Sequence, residues 1–262
     1  MTETTPLDQA HAAMQADPDE DTARLRFFER VGDCELFLLL TEEARDENLS
    51  PELFEVADGR YVLAFDREAR LAQFAGRPAP YAALSGRALA QLLAQQEIGL
   101  GLNLDVAPSA ILIPSEAIAW LARTLARSPD RMEARIAEMS APTGLPEALI
   151  TALDGKLATA TGLAPAAYLV GVTYADGGRG HLLGFVDAVE GAQDALARAA
   201  GEALTFSGVE AGAMDVGFFA SAEPIAAKLA RHGLRFDLPQ PDPVRPLRAA
   251  PGSDPDSPPI LR

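Results

Sequence analysis

The stretch Ile98-Gly99-Leu100-Gly101-Leu102-Asn103-Leu104 alternates between large apolar residues and small or polar ones. A period of two is typical of a β-strand that packs its apolar side chains on one face. The glycines remove side chains from the other face, so another group can approach the backbone closely. That group is either a packed helix of the same chain, or a ligand or partner. The candidate binding surface of this half is therefore Gly99, Gly101 and Asn103, with Arg87 and Ser109 as candidate neighbours.

Strand and helix patterns are mixed on both sides of this stretch. Residues 35–40 and 61–65 are apolar enough for buried strands, and Asp58-Gly59 predicts a hairpin that joins Leu53–Val56 to the second of them. Residues 110–113 predict a further strand, followed by a helix. We therefore expect residues 20–127 to form one mixed α/β domain, preceded by an N-terminal extension over residues 1–19.

Two helix starts in this domain have recognisable N-caps. Asp66 is predicted to cap a helix over residues 67–74, which Gly76 would end. Ser85 is predicted to cap a helix over residues 86–96.

The second half has a clearer order of elements. Strand patterns at residues 136–139, 168–174, 181–187 and 214–219 enclose helical patterns at 145–160 and 192–206. This order is β-α-β-β-α-β, which predicts a ferredoxin-like domain over residues 132–238, with one further helix appended. The fold class is therefore α/β (α+β), with two mixed-sheet domains separated at residues 127–131.

Residues 239–262 differ in composition from the rest of the chain. They hold eight of its 20 prolines, among Asp, Ser and Arg. Such a segment cannot bury enough apolar surface to offset the entropy lost on ordering, which predicts a disordered tail.

The net charge of −16 limits the classes of partner. Nucleic acids and anionic membranes attract basic surfaces, so neither is an expected partner. Thirteen acidic residues and four arginines fall in the first 50 positions. This acidic region is either a solvated surface or a docking face for a basic partner. We expect a cytoplasmic protein, because no signal peptide or membrane-spanning apolar run is visible.

Few residues are candidates for chemistry. Of the three histidines, His11 and His232 are expected at the surface, and His181 is the most interesting because apolar residues share its side of a predicted strand. The single cysteine, Cys34, is expected to be a buried small hydrophobic residue. No catalytic residue, metal ligand or cofactor is predicted.

Several blocks resemble the SseB N-terminal domain family. They are residues 24–30 (RLRFFER), 35–40 (ELFLLL), 62–66 (VLAFD), 81–87 (YAALSGR) and 99–104 (GLGLNL), the last leading into 107–110 (APSA). The second half is similar in organisation to the C-terminal domain of that family. The resemblance implies a cytoplasmic bacterial protein linked by name to serine sensitivity, without a defined reaction, cofactor or active site.

Three functions remain open at this point. The first is a non-catalytic interaction or regulatory protein with a protein partner. The second is a module that binds an amino acid or another metabolite, through the glycine strand or near His181. The third is an enzyme of unrecognised type. The oligomeric state is not predicted.

Overall fold

The computed structural model describes residues 4–44, 49–56, 59–126, 135–209 and 214–241. Within these ranges the chain forms eight helices and eleven strands, and each half has its own mixed sheet. The predicted α+β class with two mixed sheets is confirmed.

The first half surrounds a six-stranded sheet of order β4-β1-β3-β5-β6, with β2 also paired to β3. Its elements are α1 (Pro6–Ala16), α2 (Asp21–Asp33), β1 (Glu35–Leu39), β2 (Leu53–Val56), β3 (Gly59–Phe65), α3 (Glu68–Ala75), β4 (Tyr81–Ser85), α4 (Gly86–Ala94), β5 (Gly99–Leu102), β6 (Ile111–Ile113) and α5 (Ser115–Leu125).

Helices cover both faces of this sheet. The larger core cluster joins α1, α2, α4 and α5 to the sheet, and a smaller one packs Leu71 of α3 against Leu63 and Phe65 of β3. Helix α1 falls within the predicted extension, yet its Leu7 is 2% exposed and belongs to the larger cluster. Burial of this face attaches α1 to the first half.

One of the two predicted caps is present. The Ala88 amide donates to Ser85 Oγ at 3.2 Å, so Ser85 caps α4 as expected. The prediction for Asp66 is wrong, because Arg67 is the N-cap of α3 and makes no side-chain cap bond. The Asp66 carboxylate instead accepts from Thr5 and Arg70.

The second half surrounds a five-stranded sheet of order β10-β9-β8-β11, with β7 also paired to β8. Its elements are β7 (Ile136–Ser140), α6 (Glu147–Leu157), β8 (Ala166–Tyr174), β9 (Arg179–Val186), α7 (Gln193–Phe206), β10 (Met214–Phe219), α8 (Pro224–His232) and β11 (Leu234–Asp237). Helices α6 and α7 share a core cluster with one face of the sheet, and α8 packs on the other face.

The predicted element order occurs, but the strand pairing is not ferredoxin-like. In a ferredoxin-like sheet the first strand lies between the third and the fourth. Here β9 pairs directly with β10 in parallel, and β7 pairs antiparallel with β8. A strand in the middle of a covered sheet is buried on both faces, whereas Glu138 of β7 is exposed. Strand β7 therefore lies at the edge, in line with β11 along β8.

The limits of the predicted domains stay predictions. The expected boundary at residues 127–131 lies outside the described residues, and so does the predicted tail from residue 242 onward. The three residues before that point are described. The Gly162 amide donates to the Pro239 carbonyl at 2.8 Å, and Leu238 belongs to the second core. Among the described residues, no helix has the length and apolar character needed to cross a membrane.

Candidate functional site: a cleft between the two halves

A cleft of about 400 Å³ lies between α1 and α2 of the first half and α6 of the second. Small side chains form much of its wall, and they leave the space open. They are Ala10, Ala13, Ala23, Ala148, Ala152 and Gly155.

The charged lining of the cleft comes mainly from α2. Glu29 and Asp33 are four residues apart, as are Arg26 and Arg30, so each pair projects from neighbouring turns of the helix. Arg26 and Arg30 are exposed, whereas Glu29 is only 8% exposed. Groups of both signs therefore face the same cleft.

Lys156 of α6, which also lines the cleft, joins the two halves. It is 6% exposed, and its Nζ donates to the Asp33 carboxylate at 2.7 and 2.8 Å. The same Nζ donates to Glu202 Oε2 of α7 at 2.9 Å. Glu29 Oε1 is farther away, at 3.6 Å from Nζ. The ammonium of Lys156 therefore lies within ion-pair distance of three carboxylates.

Arg87 of α4 extends this network from the other side. Its Nη2 lies 2.8 Å from Glu202 Oε1, and its Nη1 donates to the Leu125 carbonyl at 2.9 Å. The interdomain network is therefore Glu29, Asp33, Arg87, Lys156 and Glu202, with three carboxylates and two cations.

Burial and charge act differently on two members of the interdomain network. Burial opposes the charge of Lys156, but the nearby Asp33 and Glu202 outweigh it and raise the pKa of the ammonium. Burial raises the pKa of the Glu29 carboxyl, and Lys156 offsets this only in part. Lys156 is therefore firmly charged at neutral pH, whereas Glu29 is held in an environment that disfavours its charge.

Apolar contacts join the halves beside the network. Trp120 of α5 packs edge-on against Phe206 of α7, with ring centroids 6.1 Å apart. Phe206 is fully buried and belongs to the core cluster of the first half. The two halves therefore share a continuous packed interface.

The predicted glycine strand is filled by side chains of its own sheet. A Cβ on Gly99 would lie 2.5 Å from the Tyr61 ring, and one on Gly101 would lie 2.5 Å from Leu63 Cδ2. Both residues come from the parallel neighbour β3. The groups that approach this backbone are thus side chains of the adjacent strand, in place of the expected helix.

Asn103 and Ser109 lie together in a second buried network, with α1. Both are fully buried, and Asn103 Nδ2 donates to Ser109 Oγ at 2.9 Å. Ser109 Oγ donates in turn to Asp8 Oδ1 at 2.5 Å, and Arg70 donates to both oxygens of Asp8 at 3.0 and 2.5 Å. The polar contact predicted for Asn103 is therefore made inside the protein.

One histidine, His11, is buried and does not lie at the surface as expected. His11, expected at the surface, is 1% exposed and contacts the Phe27 ring at 5.5 Å between centroids. Burial lowers its pKa. His181 is half-buried, and its Nε2 lies 3.1 Å from the Thr143 carbonyl oxygen. It belongs to the second sheet, so the structure does not bring it to the glycine strand.

Cys34 packs against the first core and is partly buried. Burial raises the pKa of its thiol to about 12, so the thiol is protonated at neutral pH.

In the described part of the chain, no group of three or more His, Cys, Asp or Glu side chains is arranged to hold a metal ion.

Of the predicted site residues, only Arg87 takes part in the interdomain network. Sequence reasoning missed Lys156, although a signal for it exists. Lys156 follows Leu149 and Leu153 at the spacing of one helix face, and both leucines are fully buried. A lysine on an apolar stripe indicates a buried cation that requires a carboxylate partner.

Comparison with known proteins concerns the first half. Residues 7–120 match the family described as SseB protein N-terminal domain. The match covers α1 from Leu7 onward, in agreement with the packing of this helix on the first core. No curated protein and no solved structure matches the chain.

Proposed function

We propose that this chain, which belongs to the SseB family through residues 7–120, is a non-catalytic interaction protein that binds a protein partner in the cleft between its halves. The observation that supports this most directly is the open cleft of about 400 Å³, which is lined by charged residues of the interdomain network. The partner is neither nucleic acid nor membrane, given the net charge of −16. The proposed compartment is the cytoplasm.

The state of the polar groups favours binding over catalysis. Lys156 is committed to Asp33 and Glu202, and Arg87 is committed to Glu202 and a backbone carbonyl. Outside the cleft, the Cys34 thiol is not a nucleophile at neutral pH, because burial raises its pKa to about 12. Cations held as Lys156 and Arg87 are held are suited to orienting a bound surface.

A pair of glycine substitutions tests the proposed cleft. Gly155 lines the cleft on α6, and Gly201 lies within α7 outside it. A Cβ on either glycine would meet no atom within 4 Å. Gly155→Trp is therefore expected to fill the cleft without disturbing the fold, and Gly201→Trp is the matched control.

The measurement is quantitative affinity capture from the native host with three purified baits, followed by reconstitution with each purified candidate. A partner that binds the wild type and Gly201→Trp with equal affinity, but binds Gly155→Trp at least tenfold more weakly, would support the proposal. Equal binding to all three baits, or no partner for any of them, would overturn it.

A small-molecule ligand is the second candidate function, and one observation favours it. The cleft volume lies within the range of about 300–1,000 Å³ typical of small-molecule sites, and its lining has charges of both signs. A thermal-shift screen of amino acids and metabolites tests it. A shift of the unfolding midpoint that rises with ligand concentration in the wild type and is lost in Gly155→Trp would identify the cleft as a small-molecule site.

A further inference from the structure

We propose that Glu29 is the residue of this cleft that receives a cationic side chain, lysine or arginine, from the protein partner. This inference rests on the proposed function and names the chemistry by which the partner is recognised.

Among the carboxylates of the interdomain network, that of Glu29 has the longest contact with a cation. Its oxygen lies 3.6 Å from Lys156 Nζ, beyond hydrogen-bond distance, whereas Asp33 and Glu202 lie 2.7 and 2.9 Å from the same nitrogen. Among the described residues, no hydroxyl or amide group donates to Glu29. A carboxylate that is 8% exposed and lines an open cleft without a close donor is a site for an external cation.

The charge balance of the interdomain network leads to the same conclusion. Glu202 takes both an arginine and the lysine, and Asp33 takes the lysine through both of its oxygens. The two cations are therefore used mainly by two carboxylates, and Glu29 shares Lys156 only at the longer distance of 3.6 Å. Counted without the exposed Arg26 and Arg30 of the cleft lining, a partner ammonium or guanidinium at Glu29 would give this network three cations for three carboxylates.

The surroundings of the cleft favour a basic protein over a neutral one. Between α1 and α2 the chain turns through Asp17, Asp19, Glu20 and Asp21, which are all exposed, and Glu20 also lines the cleft. This corner carries four carboxylates beside the cleft, one of which, Asp21, is paired with Arg24. Such a field accelerates association with a cationic surface.

Arg26 and Arg30 restrict which basic partner fits. Both are exposed in the cleft lining on the same helix as Glu29. Their charge disfavours a tract of several adjacent lysines, because the additional cations would lie beside them. The cleft therefore selects a single basic side chain flanked by small or neutral residues.

The test uses the full chain, labelled with ¹⁵N, and a peptide probe, acetyl-Gly-Ala-Lys-Ala-Gly-amide. The matched probe replaces lysine by norleucine, which has a similar length and no charge. Amide chemical shifts are followed in the wild type, in Glu29→Gln and in Glu116→Gln. Glu116 is an exposed glutamate of α5 that does not line the cleft, so its substitution controls for the loss of one negative charge.

The expected result is a saturable shift of amides around residues 26–33 and 151–156 with the lysine probe. The norleucine probe should produce no such shift. The dissociation constant should rise at least tenfold in Glu29→Gln and stay within twofold in Glu116→Gln. An unchanged affinity in Glu29→Gln, or saturation at other amides, would overturn the inference.

Two further outcomes bear on this inference, and the first separates it from the proposed function. If Gly155→Trp abolishes binding of a captured partner while Glu29→Gln does not, the cleft stands and Glu29 is not its cation receptor. Free lysine serves as a third probe. Tighter binding of free lysine than of the peptide would overturn the inference that Glu29 receives a protein side chain, and would indicate a small amine as its ligand.

Discussion

In the part of the chain that the structure describes, two networks of charged side chains differ in how fully their charges are compensated. The inner network joins Asp8, Asp66 and Arg70, whose side chains are 2 to 4% exposed. The interdomain network joins two halves of the chain, and its Asp33 and Arg87 side chains are 26 and 29% exposed. Each network has one carboxylate more than it has cations.

The difference lies in the neutral donors. In the inner network Ser109 and Thr5 supply what the single arginine cannot, with Thr5 donating to Asp66 at 2.6 Å and Ser109 to Asp8 at 2.5 Å. The interdomain network leaves Glu29 without such a donor among the described residues. A fully compensated network holds a fold together, whereas an incompletely compensated one beside a cleft retains capacity for a partner.

Removing the cation of the inner network should have the largest effect. Arg70→Met leaves Asp8 and Asp66 buried without a counter-ion, and breaking a buried pair in this way costs about 3–5 kcal/mol. Urea denaturation measures the loss. Arg24→Met is the control, since Arg24 pairs with Asp21 at the surface, where a change below about 1 kcal/mol is expected. Equal losses in the two variants would contradict the contrast.

Removing the cation of the interdomain network should cost less and act on the interface. Lys156→Met should destabilise by about 2 kcal/mol, below the range for fully buried pairs, because Asp33 is partly solvated. Trp120 is the only tryptophan and contacts Phe206 across the interface. Its fluorescence should therefore change at lower urea than the far-UV circular dichroism. Coincident transitions in the variant would argue against an interface effect.

The two networks should also respond oppositely to pH. Burial opposes ionisation of Asp8, but hydrogen bonds from Arg70 and Ser109 outweigh it and hold its pKa well below the ordinary 3.8. Its contribution to stability is present above about pH 3.8 and is lost as pH falls through the lower folded-state pKa.

The pKa of Glu29 is shifted in the opposite direction, so its contribution to stability depends on pH in the opposite way. Burial raises its pKa above 4.5, so its contribution is present below pH 4.5 and is lost as pH rises through the folded-state pKa. Glu29→Gln should therefore be at least as stable as the wild type at pH 7, with an advantage that shrinks towards pH 5. Urea midpoints at both pH values measure this. A Glu29→Gln variant clearly less stable than the wild type at pH 7 would contradict it.

The smallest effects are expected from Gly155→Ala and Gly201→Ala. Both glycines lie inside helices that carry the interdomain network, and a Cβ on either would meet open space. Alanine should raise stability by about 0.5–1 kcal/mol at each position, measured as an increase in the urea midpoint. A loss at Gly155 alone would show that the cleft wall needs the glycine backbone.

Local features could be predicted from the sequence, and long-range ones could not. The Ser85 cap follows from neighbouring residues, and so does the strand at residues 99–102. The glycine face was correctly associated with close approach, but its occupants Tyr61 and Leu63 depend on strand pairing. The order of elements in the second half was also correct, yet element order alone does not determine which strands pair.

The candidate site was missed for the same reason. Lys156 and Asp33 are 123 positions apart, and no periodic pattern connects two halves over such a distance. Arg87 is predicted as a neighbour of the glycine strand, whereas it contacts Glu202 of the second half. The helical spacing of Lys156 predicts only that some carboxylate must lie near it.

The position of Phe206 has a consequence for how this chain can be divided. The ring belongs to the second half by sequence and to the first core by packing, where it meets Trp120. A fragment that stops at residue 126 would lack the Phe206 ring and would leave its position beside Trp120 in the first core empty. The segment that matches the family, residues 7–120, therefore does not contain every side chain of the first hydrophobic core. The second half supplies Phe206 to that core.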